Sequence, residues 1–95
     1  MIELINRQEA IETVKESIIT RTCYTPYDHE VDRIINELSS VPIRGIKTIE
    51  LINRQEVIDA VKKSIIAHLC YRLDDYEVAG IIKDLQSILV MGTFK

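Results

Sequence analysis

Two copies of an arginine–glutamine pair are the residues best suited to bind a ligand. Arg7 and Gln8, and again Arg54 and Gln55, fall at predicted helix starts. Free backbone N–H groups and the helix dipole favour anions there. A guanidinium group adds a fork of donors that fits phosphates and carboxylates. Recent duplication or packing is the favoured explanation of the pattern, and a paired anion-recognition site is the alternative.

The cysteines and histidines are too few to build a metal centre. Cys23 and Cys70 occupy equivalent positions in two related segments, whereas His29 and His68 do not. A metal or redox pair of thiols is one reading, but structural zinc needs four ligands. We therefore interpret the cysteines as reduced, small buried residues and the histidines as ordinary helix residues.

Acidic residues recur in pairs, as Asp28 with Glu30 and as Asp75 with Glu77. Paired carboxylates can hold a divalent cation or act as acid and base. Both pairs fall in the first turn of a predicted helix, where the macrodipole stabilises negative charge. Helix-end electrostatics is the favoured interpretation.

Motifs and composition point away from several functional classes. The chain has no P-loop, dinucleotide fingerprint, nucleophile elbow or His-Glu-x-x-His motif, so we predict neither enzyme activity nor a cofactor. A net charge of −3 disfavours nucleic acid and membrane surfaces as partners. We find no apolar run long enough to span a bilayer and no export signal. The expected location is the cytoplasm of a bacterial host.

The elements that position these residues come in two copies. The octapeptide at 2–9 returns unchanged at 49–56, and 24 of 47 positions are identical between 2–48 and 49–95. A unit of this length is near the lower limit for folding alone. We therefore predict one domain, 1–95, in which unit 1 (2–48) and unit 2 (49–95) share a core.

Each unit begins its first helix with the same signal. Asn6 is a good N-cap with Glu9 three residues on, the pattern of a capping box, and Asn53 with Glu56 repeats it. Apolar residues at helical spacing then predict first helices over 7–22 and 54–71. Second helices follow cap-like segments at Thr25-Pro26 and Asp74–Glu77. Their apolar stripes are Val31, Ile34, Ile35 and Leu38, and Val78, Ile81, Ile82 and Leu85.

The remaining segments complete an all-α prediction. Pro42 and Gly45 end the second helix of unit 1, and 43–48 is read as a linker. The last helix is expected to run on through Val90. We read Glu3–Ile5 and Glu50–Ile52 as brief extended lead-ins rather than paired strands. The predicted fold is a tandem pair of αα-hairpins packed as a pseudo-two-fold four-helix bundle.

The segment from Leu4 to Ile11 resembles the opening L-I-S-R-Q-x-A-I of short proteins from Firmicutes and their phages. Asn6 stands where those proteins usually carry Ser, and 39–42 approximates their later leucine-proline-serine element. The resemblance covers about a third of each unit, and unit 2 lacks the proline. It implies a small phage or prophage protein without implying an activity. Some relatives carry zinc-ribbon cysteines, which this chain lacks, so no metal is implied.

We therefore expect a non-enzymatic protein-interaction module of phage origin that inhibits a host defence protein. One alternative is a pseudo-symmetric binder of a nucleotide or other small anion at the repeated helix starts. Another is a structural or self-associating module. Its predicted contact surface is the apolar tail Leu89, Val90 and Met91 with Phe94.

Overall fold

The computed structural model describes residues 2–22, 27–46, 49–69 and 72–94, which form four helices and four strands. The helices are α1 (Arg7–Arg21), α2 (Asp28–Ser39), α3 (Arg54–His68) and α4 (Asp75–Gln86). The strands are β1 (Ile2–Asn6), β2 (Ile43–Ile46), β3 (Glu50–Asn53) and β4 (Gly92–Phe94). Each unit therefore has the order strand, helix, helix, strand.

The strands form one antiparallel sheet in the order β2-β3-β1-β4. The predicted all-α class is therefore wrong, and the fold is α+β. The lead-in segments are the two central strands of the sheet. The segment read as a linker, 43–48, contains the edge strand β2.

The two central strands pair with a symmetric register. Ile5 lies opposite Ile52, Leu4 opposite Asn53, and Asn6 opposite Leu51. Because Ile52 is the unit 2 equivalent of Ile5, exchanging the two units reproduces the same set of pairs. The centre of this register lies between Ile5 and Ile52.

Each unit finds its main packing partners in the other unit. The edge strand β2 pairs with β3, and β4 pairs with β1. Likewise α1 packs chiefly against α4, and α2 against α3. The predicted αα-hairpins are therefore wrong, because the two helices of a unit contact each other less than they contact helices of the other unit.

The starts of α1 and α3 form as the cap pattern predicts. The Asn6 side chain accepts hydrogen bonds from the backbone N–H groups of Gln8 (2.9 Å) and Glu9 (3.3 Å). The Asn53 side chain accepts one from Gln55 at 2.9 Å. The predicted reciprocal hydrogen bond, from the N-cap backbone N–H to the glutamate carboxylate, is absent from both of these helix starts in the described residues.

The helix ends differ from prediction mainly in unit 2. Helix α3 ends at His68 rather than at residue 71, and residues 70 and 71 lie outside the described range. Helix α4 ends at Gln86, so the predicted continuation through Val90 is wrong. There the chain leaves the helix so that Met91 N–H can donate to the Leu4 carbonyl at 2.8 Å and β4 can follow. The predicted cap at Thr25-Pro26 lies outside the described residues.

The core lies between the helices and the sheet and draws on both units. Its fully buried members include Ile5, Val14, Ile34, Leu38, Ile52, Val57, Val61, Ile81 and Leu85. Leu4 and Leu51 alternate with Ile5 and Ile52, so they point to the opposite face of the sheet, yet they are also buried. Both faces of the central strands are therefore covered at these positions. Among the described residues, no helix is both long and apolar enough to cross a membrane.

Candidate functional site

The repeated arginines form reciprocal ion pairs between the two units. Arg7 Nη1 lies 3.1 Å from Glu50 Oε1, and Arg54 Nη1 lies 3.4 Å from Glu3 Oε1. Each arginine is the first residue of a helix of its own unit, and each glutamate lies on the central strand of the other unit. The two pairs are equivalent under exchange of the units. The ion pairs connect the first helix of each unit to the central strand of the other unit.

The environment of Arg54 is more enclosed than that of Arg7. Arg54 also donates a hydrogen bond to the Ile88 carbonyl, and its side chain is 13% exposed, compared with 25% for Arg7. The Nε atoms of both arginines are buried without a hydrogen-bond partner among the described residues. The Nη1 atom of each arginine is thus engaged by a glutamate of the other unit, whereas the Nε atom is not.

The paired glutamines lie on the exposed surface of their own helices. Gln8 Nε2 lies 3.4 Å from Glu12 Oε1, and Gln55 Nε2 donates to Asp59 Oδ1 at 3.1 Å. These are ordinary contacts four residues apart on a helix. Anion recognition at the repeated helix starts stays a prediction. The ion pairs supply a structural reason for the identity of the octapeptide.

A second polar cluster joins α1 to α4. Asp84 accepts hydrogen bonds from Arg21 Nε (2.9 Å), Arg21 Nη2 (2.8 Å) and the Ser17 hydroxyl (2.6 Å). The hydrogen bonds from Arg21, followed by the one from Ser17, lower the pKa of Asp84. The hydrogen bonds between Arg21 and Asp84, together with the negative charge of Asp84, raise the pKa of Arg21. The carboxylate is thereby held in its ionised form.

Gly80 gives the Arg21 side chain room to cross α4. A Cβ atom at Gly80 would lie 2.7 Å from Arg21 Cδ, closer than side-chain atoms normally approach. Gly80 lies one turn before Asp84 on the same helix. The absence of a side chain at Gly80 therefore allows the two-pronged contact between Arg21 and Asp84.

The equivalent cluster in the other half of the molecule is chemically different. Ser64, His68 and Glu37 occupy the positions equivalent to Ser17, Arg21 and Asp84. His68 Nε2 lies 3.4 Å from Glu37 Oε1, and the Ser64 hydroxyl is buried without a partner among the described residues. In the described residues, the side-chain hydrogen bonding between α2 and α3 is thus weaker than that between α1 and α4.

The acidic pairs serve the helix starts, in agreement with their electrostatic interpretation. Glu30 and Glu77 are buried, and their carboxylates accept hydrogen bonds from the backbone N–H groups of Tyr27 and Asp74, each at 2.9 Å. The described residues contain no group of three or more His, Cys, Asp or Glu side chains that could hold a metal ion.

The remaining candidates are dispersed. His29 is exposed and stacks on the ring of Tyr27, with 5.6 Å between the ring centroids. The predictions for Cys23 and Cys70 lie outside the described residues. In the predicted apolar tail, Leu89 and Met91 are exposed and Val90 is partly buried.

An apolar groove of about 650 Å³ runs between α3 and α4. Its walls are formed mainly by aliphatic side chains, namely Ile65, Ile66, Leu69, Leu73, Val78 and Ile82. Lys62, Arg72 and Asp75 supply its charged groups. The volume lies within the range of ligand-binding clefts in proteins. The groove was not predicted from the sequence.

A comparison of the units could have pointed to the groove. Where unit 2 has Leu69 and Ala79 in the groove wall, unit 1 has Thr22 and Asp32. Ile66 and its identical equivalent in unit 1, Ile19, are both exposed to solvent, and Ile66 is 84% exposed. The other isoleucines and the valine of the lining have identical equivalents in unit 1, so Leu69 and Ala79 are what make this surface more apolar in unit 2.

Comparison with known proteins gives no match to a family model, to a curated protein or to a solved structure.

Proposed function

We propose that the chain is a non-enzymatic protein-interaction module that binds its partner in the groove between α3 and α4. The observation that carries the proposal is the apolar lining of this groove, in which Leu69 and Ala79 replace the polar Thr22 and Asp32 of unit 1. Hydrophobic grooves receive the apolar face of partner helices, and ligand-binding clefts are likewise concave and largely apolar with a few polar groups at defined places. The groove has this composition.

The exposure of Ile66 supports a protein partner. Its side chain is 84% exposed beside a row of apolar groove residues. Full burial of an isoleucine side chain is worth about 1.5–3 kcal/mol, so a partner that covers Ile66 gains binding free energy. Ile19 provides a natural comparison, since it is also exposed but lies beside Thr22 rather than Leu69.

Phage origin and inhibition of a host defence protein enter the proposal only through the sequence resemblance. The groove supports binding of a partner without indicating which process the partner serves. Neither part of this wider proposal alters the test of the groove.

The test is affinity capture from bacterial lysate with three baits: wild type, Ile66→Glu and Ile19→Glu. We expect a protein that is retained by wild type and by Ile19→Glu and is lost from Ile66→Glu. Both substitutions place a carboxylate at an exposed helix position, so each variant is expected to fold, which circular dichroism checks. Capture of the same proteins by all three baits would refute the proposal.

A further inference from the structure

The walls of the groove match the length of a short helix. Leu69 lies seven positions after Lys62 on the α3 side, and Ile82 lies seven positions after Asp75 on the α4 side. At the rise of an α-helix, each wall extends about 10 Å, or about two turns. An amphipathic helix places side chains at i, i+3, i+4 and i+7 over the same distance.

The backbone of the groove walls favours a helical occupant over a strand. Both walls are helices, whose backbone groups already bond within the helix over most of their length. An extended peptide obtains its affinity mainly from main-chain hydrogen bonds with an open sheet edge. The groove offers side-chain contacts, which is the way in which an apolar helix face is recognised.

The charges of the groove favour an acidic occupant. Lys62 and Arg72 form no ion pair with any described residue, and Asp75 is the acidic residue of the lining. The lining therefore carries one more positive than negative charge in a chain whose net charge is −3. Asp75 also lies in the first turn of α4, where the helix dipole stabilises it without a partner.

The two cations stand near opposite ends of the groove. Lys62 lies about two turns before the end of α3 at His68, and Arg72 lies beyond the end of that helix. Unit 1 keeps the lysine as Lys15 but has Thr25 where unit 2 has Arg72. The second cation is thus specific to unit 2.

We infer that the groove binds an acidic amphipathic helix of a partner protein, a conclusion that rests on the proposed function. The apolar face of the helix covers Ile66, Leu69 and Ile82. Carboxylates at the margins of that face lie towards Lys62 and Arg72.

The experiment uses two synthetic peptides of about 18 residues, long enough to form helix in Ala-rich sequences. Both carry leucine at i, i+3, i+4 and i+7. One has glutamate at the flanking positions, and the other has lysine. Binding of each fluorophore-labelled peptide to the full chain is measured by fluorescence anisotropy. Sodium dodecanoate is the third ligand, and its binding to the full chain is measured by calorimetry.

We expect the glutamate peptide to bind and the lysine peptide to bind at least about tenfold more weakly, since two ion pairs are replaced by repulsion. Ile66→Glu is expected to abolish binding of the glutamate peptide, and Ile19→Glu to leave it unchanged. Lys62→Ala/Arg72→Ala is expected to reduce the preference for the acidic peptide.

Three results would overturn the inference: equal binding of both peptides, binding of neither peptide, or dodecanoate binding in their place with the same dependence on Ile66. In each case the lysate capture remains decisive for the proposed function. If capture still depends on Ile66, the module binds a partner of different chemistry. If capture does not depend on Ile66, the proposed function itself fails.

Discussion

Ile5 and Ile52 lie directly opposite each other at the centre of the sheet, and neither side chain is exposed to solvent. They are the same residue of the two units, so each meets its own equivalent across the pseudo-symmetric register. The residues on either side, Leu4 with Asn53 and Asn6 with Leu51, repeat this relationship. The octapeptide common to the units thus supplies both the central strand pair and the start of the helix that follows it.

We expect Ile5→Val and Ile52→Val to destabilise the protein by similar amounts. Each substitution removes one buried methylene from an equivalent site, which typically costs about 0.5–1.5 kcal/mol. Chemical denaturation at equilibrium measures both values. Ile66→Val, at an exposed position, is the control and is expected to change stability little. A large difference between the two central variants would show that their environments are not equivalent.

The helices could be read from the sequence because their signals are local. Asn6 and Asn53 begin α1 and α3 as predicted, and apolar residues recur at helical spacing within each helix. The end of α4 was missed because Leu89 replaces Pro42 and removes the local stop signal. In the structure the chain instead turns toward Leu4, a residue far away in sequence.

The sheet could not be read in the same way. A half-buried strand shows alternating apolar and polar residues, but Leu4 and Ile5 are adjacent and both buried because both faces of the sheet are covered there. The strands are also short, and every one of their pairings joins the two units. Pairing between distant segments leaves no local pattern. The same reason hid the contacts of Arg7 with Glu50 and of Arg54 with Glu3.

Gly80→Ala is expected to depend on the residue at position 21. Alanine stabilises a helix interior by about 1 kcal/mol relative to glycine. In wild type the new Cβ would displace Arg21 from its path to Asp84, so the gain should be smaller or reversed. In the Arg21→Ala background the full gain is expected. A double-mutant cycle of unfolding free energies measures the coupling, and equal effects in both backgrounds would contradict the crossing of Arg21 over Gly80.

The contribution of Asp84 to stability is expected to disappear in acid. The hydrogen bonds from Arg21 and Ser17 place the folded-state pKa of Asp84 below the ordinary value of 3.8. A lowered folded-state pKa means that the unfolded chain binds the proton more readily. The stabilisation is therefore complete above the unfolded-state pKa and is lost as the pH falls through the folded-state pKa.

Urea denaturation of wild type and Asp84→Asn between pH 7 and pH 3 checks this expectation. The difference in unfolding free energy should be constant well above pH 3.8 and should narrow below it. Asp32→Asn, at an exposed position of α2, controls for the loss of one negative charge. A difference that does not change with pH would show that the Asp84 carboxylate is not stabilised in its ionised form.

The reciprocal ion pairs are expected to tolerate exchange of their charges. Arg7→Glu places a carboxylate near Glu50 and should destabilise the fold, and adding Glu50→Arg should restore part of the loss. Because Glu50 is 46% exposed, the coupling should be about 0.2–1 kcal/mol and should weaken with added salt.

Arg54→Ala should cost more than Arg7→Ala, since Arg54 is less exposed and also donates to the Ile88 carbonyl. Equilibrium unfolding of the two single variants, the charge-exchanged double variant and both alanine variants, at low and high salt, measures these differences. If Glu50→Arg brought no recovery and salt had no effect, the identity of the octapeptide would need another explanation, and anion recognition by the arginines would become the stronger one.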